Sequence, residues 1–191
     1  LHTRQAKILM TSQSATCTET AFTIDTSSIK FGPGITGEAG YELDRLGASR
    51  VMVVTDPRMA GSAAVNTATN SLKQANVDFA VFDRVSVEPT DVSFKEAIEF
   101  AVNGRFDGFL PVGGGSSIDT AKAANLYSTY PSDFLEYVNA PIGEGTPVPG
   151  DLKPLVAVPT TAGTGSETTG VAIFDFEELG AKTGIAHRSL R

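Results

Sequence analysis

Three consecutive glycines, Gly113, Gly114 and Gly115, stand between an apolar segment and a segment with helical periodicity, and they limit the possible folds of this chain most strongly. The apolar residues 108–112 predict a strand, and residues 117–127 predict a helix. At such a turn, bare backbone N–H groups can approach a ligand closely, and the dipole of the following helix favours an anion. The turn therefore predicts a binding site for a pyrophosphate.

The same turn can also be interpreted as a tight connection in which Ser116 or Ser117 caps the helix. A single glycine would suffice for such a connection, so three glycines favour the phosphate site. The spacing departs from the dinucleotide-binding pattern G-x-G-x-x-G, because Ile118 stands where the last glycine is required. The sequence also lacks the G-x-x-x-x-G-K-S/T loop of nucleoside triphosphatases. The residues therefore predict a phosphate site without identifying its type.

Apolar runs and helical patterns alternate between residues 49 and 160, which is typical of parallel strands joined by crossover helices. Ser93 and Glu96 form the pattern of a capping box at the start of one predicted helix. Residues 22–31 predict an edge strand or a hairpin, and residues 140–154 predict a surface loop. The predicted strands cover residues 49–55, 79–85, 108–112 and 155–159, and the predicted helices cover residues 35–46, 60–75, 93–104 and 117–127. The expected fold is α/β, a Rossmann-like parallel sheet flanked by helices.

Two more segments follow predicted strands, so they are expected at the same edge of the sheet as the glycine turn. Residues 160–166, called the hydroxyl loop below, carry four hydroxyl side chains and two glycines. Asp56 ends the first long strand, where a carboxylate can accept hydrogen bonds from ribose hydroxyls and repel a 2′-phosphate, which favours NAD over NADP. The alternatives are an ordinary Ser/Thr/Gly loop and a turn aspartate before Pro57.

The composition excludes several classes of partner. The formal net charge of −7 leaves no broad basic surface, so a small molecule is a more suitable partner than nucleic acid. No apolar run approaches the roughly 20 residues that a membrane-spanning helix requires, so a membrane partner is not expected. Cys17 is the only cysteine, which excludes a disulfide framework and a cysteine-based zinc site and favours a reducing compartment.

The first residues resemble the end of a mitochondrial transit peptide. Residues 1–18 contain His2, Arg4 and Lys7, no acidic residue and many Ser and Thr. We therefore expect residues 1–19 to be a tail, residues 20–191 to form one domain, and the compartment to be the mitochondrial matrix, with the cytoplasm as the alternative. The chain starts at Leu1 rather than Met, so we expect a processed or partial sequence.

Together these segments resemble the iron-containing alcohol dehydrogenase family over nearly all of residues 20–189. The motifs that carry the resemblance are Gly113 to Ser116 with Asp119 and Lys122, Thr55-Asp56, and the loop from Pro159 to Glu167. The resemblance implies a dehydroquinate synthase-like amino-terminal domain that binds NAD, followed by a helical domain that holds Fe²⁺. The cofactor-binding residues that it implies are Asp56, Gly113, Gly114, Gly115, Ser116, Asp119, Thr160, Thr161, Thr164 and Lys182.

The resemblance assigns each part of NAD to a segment of the chain. The glycine turn is expected to hold the pyrophosphate, Asp56 to meet the adenosine ribose, and residues 160–164 to line the path toward the nicotinamide. Asp119 and Lys182 are expected near the cofactor. The iron ligands of the family are one aspartate and three histidines from the helical domain, whereas this sequence has only His2 and His187. We interpret both as surface histidines, and we expect the chain to be incomplete and to end before the metal ligands.

Within the family, residues 87–91, 96–100, 133–138 and 167–175 are most similar to a branch that passes hydride between hydroxyacids and oxoacids. That resemblance implies oxidation of 4-hydroxybutyrate to succinate semialdehyde and reduction of 2-oxoglutarate to 2-hydroxyglutarate, with bound NAD as the hydride carrier. The alternatives are an NAD-dependent and iron-dependent alcohol dehydrogenase, a lyase of related fold, and a dinucleotide-binding fragment without catalysis. The residues leave the oligomeric state open, a homo-oligomer included.

Overall fold

The computed structural model describes residues 27–191, and a parallel sheet of four strands lies at its centre. The strands are β1 (Arg50–Val54), β2 (Asp78–Phe82), β3 (Gly108–Gly113) and β4 (Val158–Pro159). Their order is β2-β1-β3-β4, and every neighbouring pair is parallel. All six residues of β3 are buried, as expected for a central strand covered on both faces. The predicted α/β fold with a parallel sheet is confirmed.

Helices cover both faces of this sheet. They are α1 (Ala39–Arg45), α2 (Ala63–Gln74), α3 (Asp91–Gly104) and α4 (Gly115–Thr129), and a 3₁₀-helix (Ile35–Glu38) precedes α1. Because strand side chains alternate between faces, Val51 and Val53 share one hydrophobic cluster with α1 and α2. Met52 and Val54 share another cluster with α3 and α4. Helix α4 is buried at every position from 117 to 127, so it lies inside the protein rather than on its surface.

The last strand of the sheet is shorter than predicted. Only Val158 and Pro159 form a strand with β3, while Leu155 makes a single bridge to Phe109. Between these two contacts the facing residue of β3 is Pro111, which has no N–H to donate to the ladder. The proline therefore interrupts the pairing that the apolar run predicted over residues 155–159.

Other predictions fall partly or wholly outside the described residues. Residues 27–31 contain no strand, and the rest of the predicted element at 22–31 lies outside the described part, as do the expected tail at 1–19 and Cys17. Residues 140–154 form neither helix nor strand, which confirms the predicted loop. Among residues 27–191, no helix is both long and apolar enough to cross a membrane.

A capping box starts α3, but its members differ from the predicted ones. The Thr90 hydroxyl accepts a hydrogen bond from the Ser93 N–H at 3.2 Å, and the Ser93 hydroxyl accepts one from the Thr90 N–H at 2.8 Å. Glu96 instead pairs with Arg84 on the surface, so the predicted Ser93–Glu96 box is wrong. The helix begins earlier because Thr90 is held in extended conformation by a bridge to Asp175, a contact that local sequence does not show.

The two capping patterns predict different results on mutation. Thr90→Ala is expected to lower the free energy of unfolding by about 1 kcal/mol, because it removes the acceptor for an N–H group of the first turn. Glu96→Ala is expected to lower it by less than about 0.5 kcal/mol, because the Arg84–Glu96 ion pair is exposed to solvent. Urea denaturation of both variants checks this, and an equal or larger loss for Glu96→Ala would contradict the observed cap.

An antiparallel hairpin follows the hydroxyl loop and was not predicted. Its strands are β5 (Val171–Phe176) and β6 (Ala181–Ala186). Ala172, Phe174 and Phe176 of β5 point into a third hydrophobic cluster with residues of α3 and α4. The hairpin thereby fixes the far end of the hydroxyl loop to the helix that follows the glycine turn.

Candidate functional site

The glycine turn joins β3 directly to α4, and the helix starts earlier than predicted. Gly114 is the N-cap residue, with an extended backbone at φ −80° and ψ −170°, and no side chain in the described part of the chain caps the helix. The Ser116 hydroxyl donates to the carbonyl of Val87 instead. The alternative interpretation, in which Ser116 or Ser117 is the N-cap, is therefore wrong. The first turn of α4 keeps N–H groups that have no partner within the helix, which is the arrangement that binds anions.

Space rather than backbone conformation limits which residues fit at these three positions, because none of the glycines has a positive φ. A Cβ atom on Gly113 would lie 2.3 Å from the Ser117 hydroxyl oxygen, inside the helix start. A Cβ atom on Gly114 would lie 3.1 Å from the Thr161 hydroxyl oxygen. A Cβ atom on Gly115 would lie 3.1 Å from the Ser166 hydroxyl oxygen. The glycine turn and the hydroxyl loop are thus in close contact.

The hydroxyl loop leaves β4 beside the glycine turn. The Thr160 N–H donates to the Gly113 carbonyl at 2.9 Å, which fixes the start of the loop to the end of β3. Gly163 and Gly165 have φ values of 97° and 69°, a region that side chains disfavour, so the loop can reverse direction there. Thr164 packs beside the Cβ position of Gly115, at 3.2 Å. The structure therefore brings the predicted loop residues to the predicted turn, and their role in cofactor binding stays a prediction.

Asp56 follows β1 and has two sets of neighbours. Its Oδ1 accepts hydrogen bonds from the N–H groups of Arg58 at 2.9 Å and Met59 at 3.1 Å, as a turn aspartate does. Its Oδ2 lies 3.9 Å from the Cβ position of Gly113. The strand order places β1 and β4 on opposite sides of β3. Asp56 and the hydroxyl loop therefore flank the glycine turn from two sides.

Asp119 lies on α4 and is buried, with 8% of its surface exposed. Its Oδ2 accepts a hydrogen bond from the Ile173 N–H of β5 at 3.1 Å, while Oδ1 is buried and has no hydrogen-bond partner among the described residues. Burial raises the pKa of this carboxyl, and the Ile173 N–H and the Lys122 ammonium oppose that shift. The observed contact of Asp119 is with the hairpin, and its expected proximity to the cofactor stays a prediction.

Lys122 is the functional candidate that sequence reasoning missed, since it was noted in a motif but given no role. Its side chain is buried, and its ammonium donates hydrogen bonds to the carbonyls of Ser166, Thr169 and Val171 at 2.6, 2.6 and 2.9 Å. Burial lowers its pKa to about 8, while the charges of Asp119 and Glu167 act in the opposite direction. A single lysine in an alanine-rich helix gives no local sign of such contacts.

Lys182 lies on β6, in the hairpin rather than at the turn. Its ammonium forms an ion pair with Asp175 on β5 at 3.0 Å, and 62% of its side chain is exposed. Asp175 also bridges to Thr90 at the start of α3. The structure therefore places Lys182 at the α3 side of the hairpin, and its role near a cofactor stays a prediction.

The described residues do not offer a metal site. Among residues 27–191, no three His, Cys, Asp or Glu side chains come together in a way that could hold a metal ion. His187 caps the 3₁₀-helix Arg188–Leu190, where its Nδ1 accepts a hydrogen bond from the Ser189 N–H at 3.2 Å. Iron therefore has no ligands to which it can be assigned in this part of the chain.

Comparisons with known proteins show which family model and which relatives this chain matches. The model of the iron-containing alcohol dehydrogenase family matches residues 26–191. The chain is 58% identical over 181 residues to the mitochondrial hydroxyacid-oxoacid transhydrogenase of Bos taurus, covering 94% of this chain and 39% of the relative. It is 53% identical to the protein of the same name from Homo sapiens, with the same coverage of 94% and 39%. The chain thus spans about two fifths of the length of these curated relatives.

Solved structures resemble the fold as well. A 1,3-propanediol oxidoreductase superposes with a TM-score of 0.80 at 27% identity, covering 90% of this chain and 44% of that one. A sulfoacetaldehyde reductase from Bifidobacterium kashiwanohense in complex with NAD⁺ superposes with a TM-score of 0.75 at 25% identity, covering 89% of this chain and 44% of that one.

Proposed function

The chain belongs to the iron-containing alcohol dehydrogenase family, and from that membership we propose that it binds NAD across the end of its parallel sheet, with the pyrophosphate at the glycine turn. One observation carries the proposal: the first turn of α4 is uncapped by any side chain of residues 27–191 and is preceded by three residues without Cβ atoms. Backbone N–H groups and the positive end of the helix dipole can thus contact phosphate oxygens directly. The residues present fit a dinucleotide.

The residues on the two sides of the glycine turn support one orientation of the bound NAD. We propose that the adenosine ribose lies at Asp56, on the β1 side, because a carboxylate accepts hydrogen bonds from both ribose hydroxyls. The nicotinamide half then extends toward β4 and the hydroxyl loop. The proposed cofactor-binding residues are Asp56, Gly113, Gly114, Gly115, Ser116, Asp119, Thr160, Thr161, Thr164 and Lys182.

The proposed position of NAD determines what the residues of this chain contribute to hydride transfer. When bound, NAD supplies the carbon that accepts a hydride from an alcohol and returns it to a carbonyl. Residues of this chain bind the pyrophosphate at the turn, orient the ring through the hydroxyl loop, and exclude water where the loop covers Gly114 and Gly115. Residues 27–191 contain no cluster of side chains that could hold iron.

The activity proposed for the whole protein is that of its curated relatives, a hydroxyacid-oxoacid transhydrogenase located in mitochondria. The substrates proposed are 4-hydroxybutyrate and 2-oxoglutarate, with NAD retained between the two half-reactions. The structural similarity to a 1,3-propanediol oxidoreductase favours a second candidate, an alcohol dehydrogenase that releases its cofactor.

A transhydrogenase is expected to transfer deuterium from labelled 4-hydroxybutyrate to 2-oxoglutarate without added NAD. A strict requirement for added NAD favours the second candidate.

The preference for NAD is expected to depend on the charge of Asp56. Calorimetric titration should show that NAD binds at least about tenfold more tightly than NADP, since close like charges cost more than about 1.4 kcal/mol. Asp56→Asn keeps a side-chain oxygen for the N–H groups of Arg58 and Met59 but removes the charge, so it should reduce this preference. Asp44→Asn, on an exposed position of α1, serves as the matched control. An unchanged preference in Asp56→Asn would contradict the proposed role.

A further inference from the structure

Lys122 stands out because a lysine is rarely buried without a carboxylate partner. Only 2% of its surface is exposed, and its ammonium donates hydrogen bonds to three backbone carbonyls. Those carbonyls belong to Ser166, Thr169 and Val171, which lie where the hydroxyl loop runs into β5. The ammonium has three N–H donors, so its hydrogen-bonding capacity is fully used by this one segment.

These contacts fix one end of the hydroxyl loop, and another contact fixes the opposite end. The Thr160 N–H holds the start of the loop to the Gly113 carbonyl at 2.9 Å. Lys122 holds its end to α4, the helix that begins at the glycine turn. The segment between these two anchors carries the Thr161 hydroxyl and Thr164, which lie against Gly114 and Gly115 respectively. The position of the hydroxyls over the turn therefore depends on both anchors.

We infer that Lys122 is a positioning residue whose ammonium gathers three carbonyls and thereby holds the hydroxyl loop where it meets the nicotinamide half of NAD. This inference rests on the proposed function. Lys122 is expected to contact neither half of the dinucleotide, because its ammonium already donates to three backbone carbonyls. The adenosine half lies on the other side of the turn, at Asp56, so Lys122 acts on the binding of one half only.

The charge state of Lys122 gives this role a pH dependence. A neutral amine donates two hydrogen bonds instead of three, so loss of the proton releases one carbonyl of the loop. The charged groups around it are Asp119 on the same helix, Glu167 directly after the hydroxyl loop, and Asp151, Lys153 and Arg191, which line an adjacent cavity of about 310 Å³ together with Lys122. With a pKa of about 8, the ammonium is mostly charged at pH 7 and mostly neutral at pH 9, so its hold on the loop weakens over this range.

Calorimetry with two ligands tests the inference. NAD and ADP-ribose share the adenosine and the pyrophosphate, and only NAD carries nicotinamide. Lys122→Met is expected to weaken NAD binding about tenfold at pH 7, which corresponds to about 1.4 kcal/mol, and to leave ADP-ribose binding unchanged. Lys122→Arg keeps a cation with several donors and should retain most of the NAD affinity. Lys73→Met, an exposed lysine on α2, is the matched control and should change neither affinity.

The pH profile separates positioning from a merely structural role. The ratio of NAD affinity to ADP-ribose affinity should fall between pH 7 and pH 9 in the unmodified chain and stay constant in Lys122→Arg. If a folded Lys122→Met variant loses the same affinity for NAD and for ADP-ribose, or loses neither, the inference is overturned while the proposed function stands. If Lys122→Met does not fold, a constant ratio in the unmodified chain overturns it. If the unmodified chain binds neither ligand, the proposed function fails and the inference fails with it.

Discussion

Replacing Gly114 by leucine is expected to abolish NAD binding, with a loss in affinity of about 100-fold or more. Even the first carbon of the new side chain would stand 3.1 Å from the Thr161 hydroxyl oxygen, and the remaining carbons would fill the space over the first turn of α4. At least two hydrogen bonds from N–H groups to the charged pyrophosphate would be lost, each contributing about 1.5–3 kcal/mol. Calorimetric titration with NAD measures the effect.

A control separates this loss from a general effect of leucine. Gly61 is exposed and has nothing within 4 Å of its Cβ position, so Gly61→Leu should leave the NAD affinity unchanged. Circular dichroism and thermal melting should show that both variants fold, because Gly114 has a backbone conformation that other residues adopt. Undiminished NAD affinity in a folded Gly114→Leu variant would remove the glycine turn as the pyrophosphate site.

Phe174→Ala is expected to cause a large loss of stability, about 3–5 kcal/mol in the free energy of unfolding. Phe174 is fully buried on β5, and its ring centroid lies 5.2 Å from that of Phe94 and 5.3 Å from that of Phe134. Truncation leaves a cavity between the hairpin and the helices and removes two aromatic contacts. Urea denaturation followed by circular dichroism measures the loss.

The adjacent residue provides the control for this variant. Ile173 lies on the opposite face of the same strand and is 39% exposed, so Ile173→Ala should cost less than about 1 kcal/mol. Similar losses at both positions would mean that the hairpin does not pack as described. Because Val171 accepts a hydrogen bond from Lys122, loosening of the hairpin should also weaken NAD binding.

The parallel sheet was predictable from sequence because its strands are continuous apolar runs separated by helical patterns. Residues 49–55 and 108–112 correspond to β1 and β3, and both are buried on their two faces. The positions of the glycine turn and of Asp56 at one edge followed from the same reasoning. These predictions depend on local patterns and on the rule that parallel strands end at the same edge.

The hairpin was not predicted, because apolar and polar residues do not alternate clearly along its first strand. The buried residues Ala172, Phe174 and Phe176 alternate as in a half-exposed strand, but Val171 before them and Ile173 between them are also apolar. The turn at Gly180, which has a positive φ of 57°, was the remaining local signal.

The role of Lys122 and the start of α3 were missed for a different reason. The carbonyl partners of Lys122 lie 44 to 49 residues later in the chain. Thr90 is held by Asp175, which also belongs to a distant segment. Contacts of this range arise only after the chain has folded, so neither helical spacing nor a capping pattern reveals them.

The burial of α4 has a consequence for how a ligand would be received. A helix enclosed over residues 117–127 cannot shift its first turn without disturbing the packing on several sides. The donors aimed at the pyrophosphate are therefore preorganised, and little ordering entropy is lost there when a phosphate arrives. Conformational change on binding is then expected in the hydroxyl loop instead. Differences in affinity among dinucleotides with the same pyrophosphate should therefore originate in that loop and its anchors.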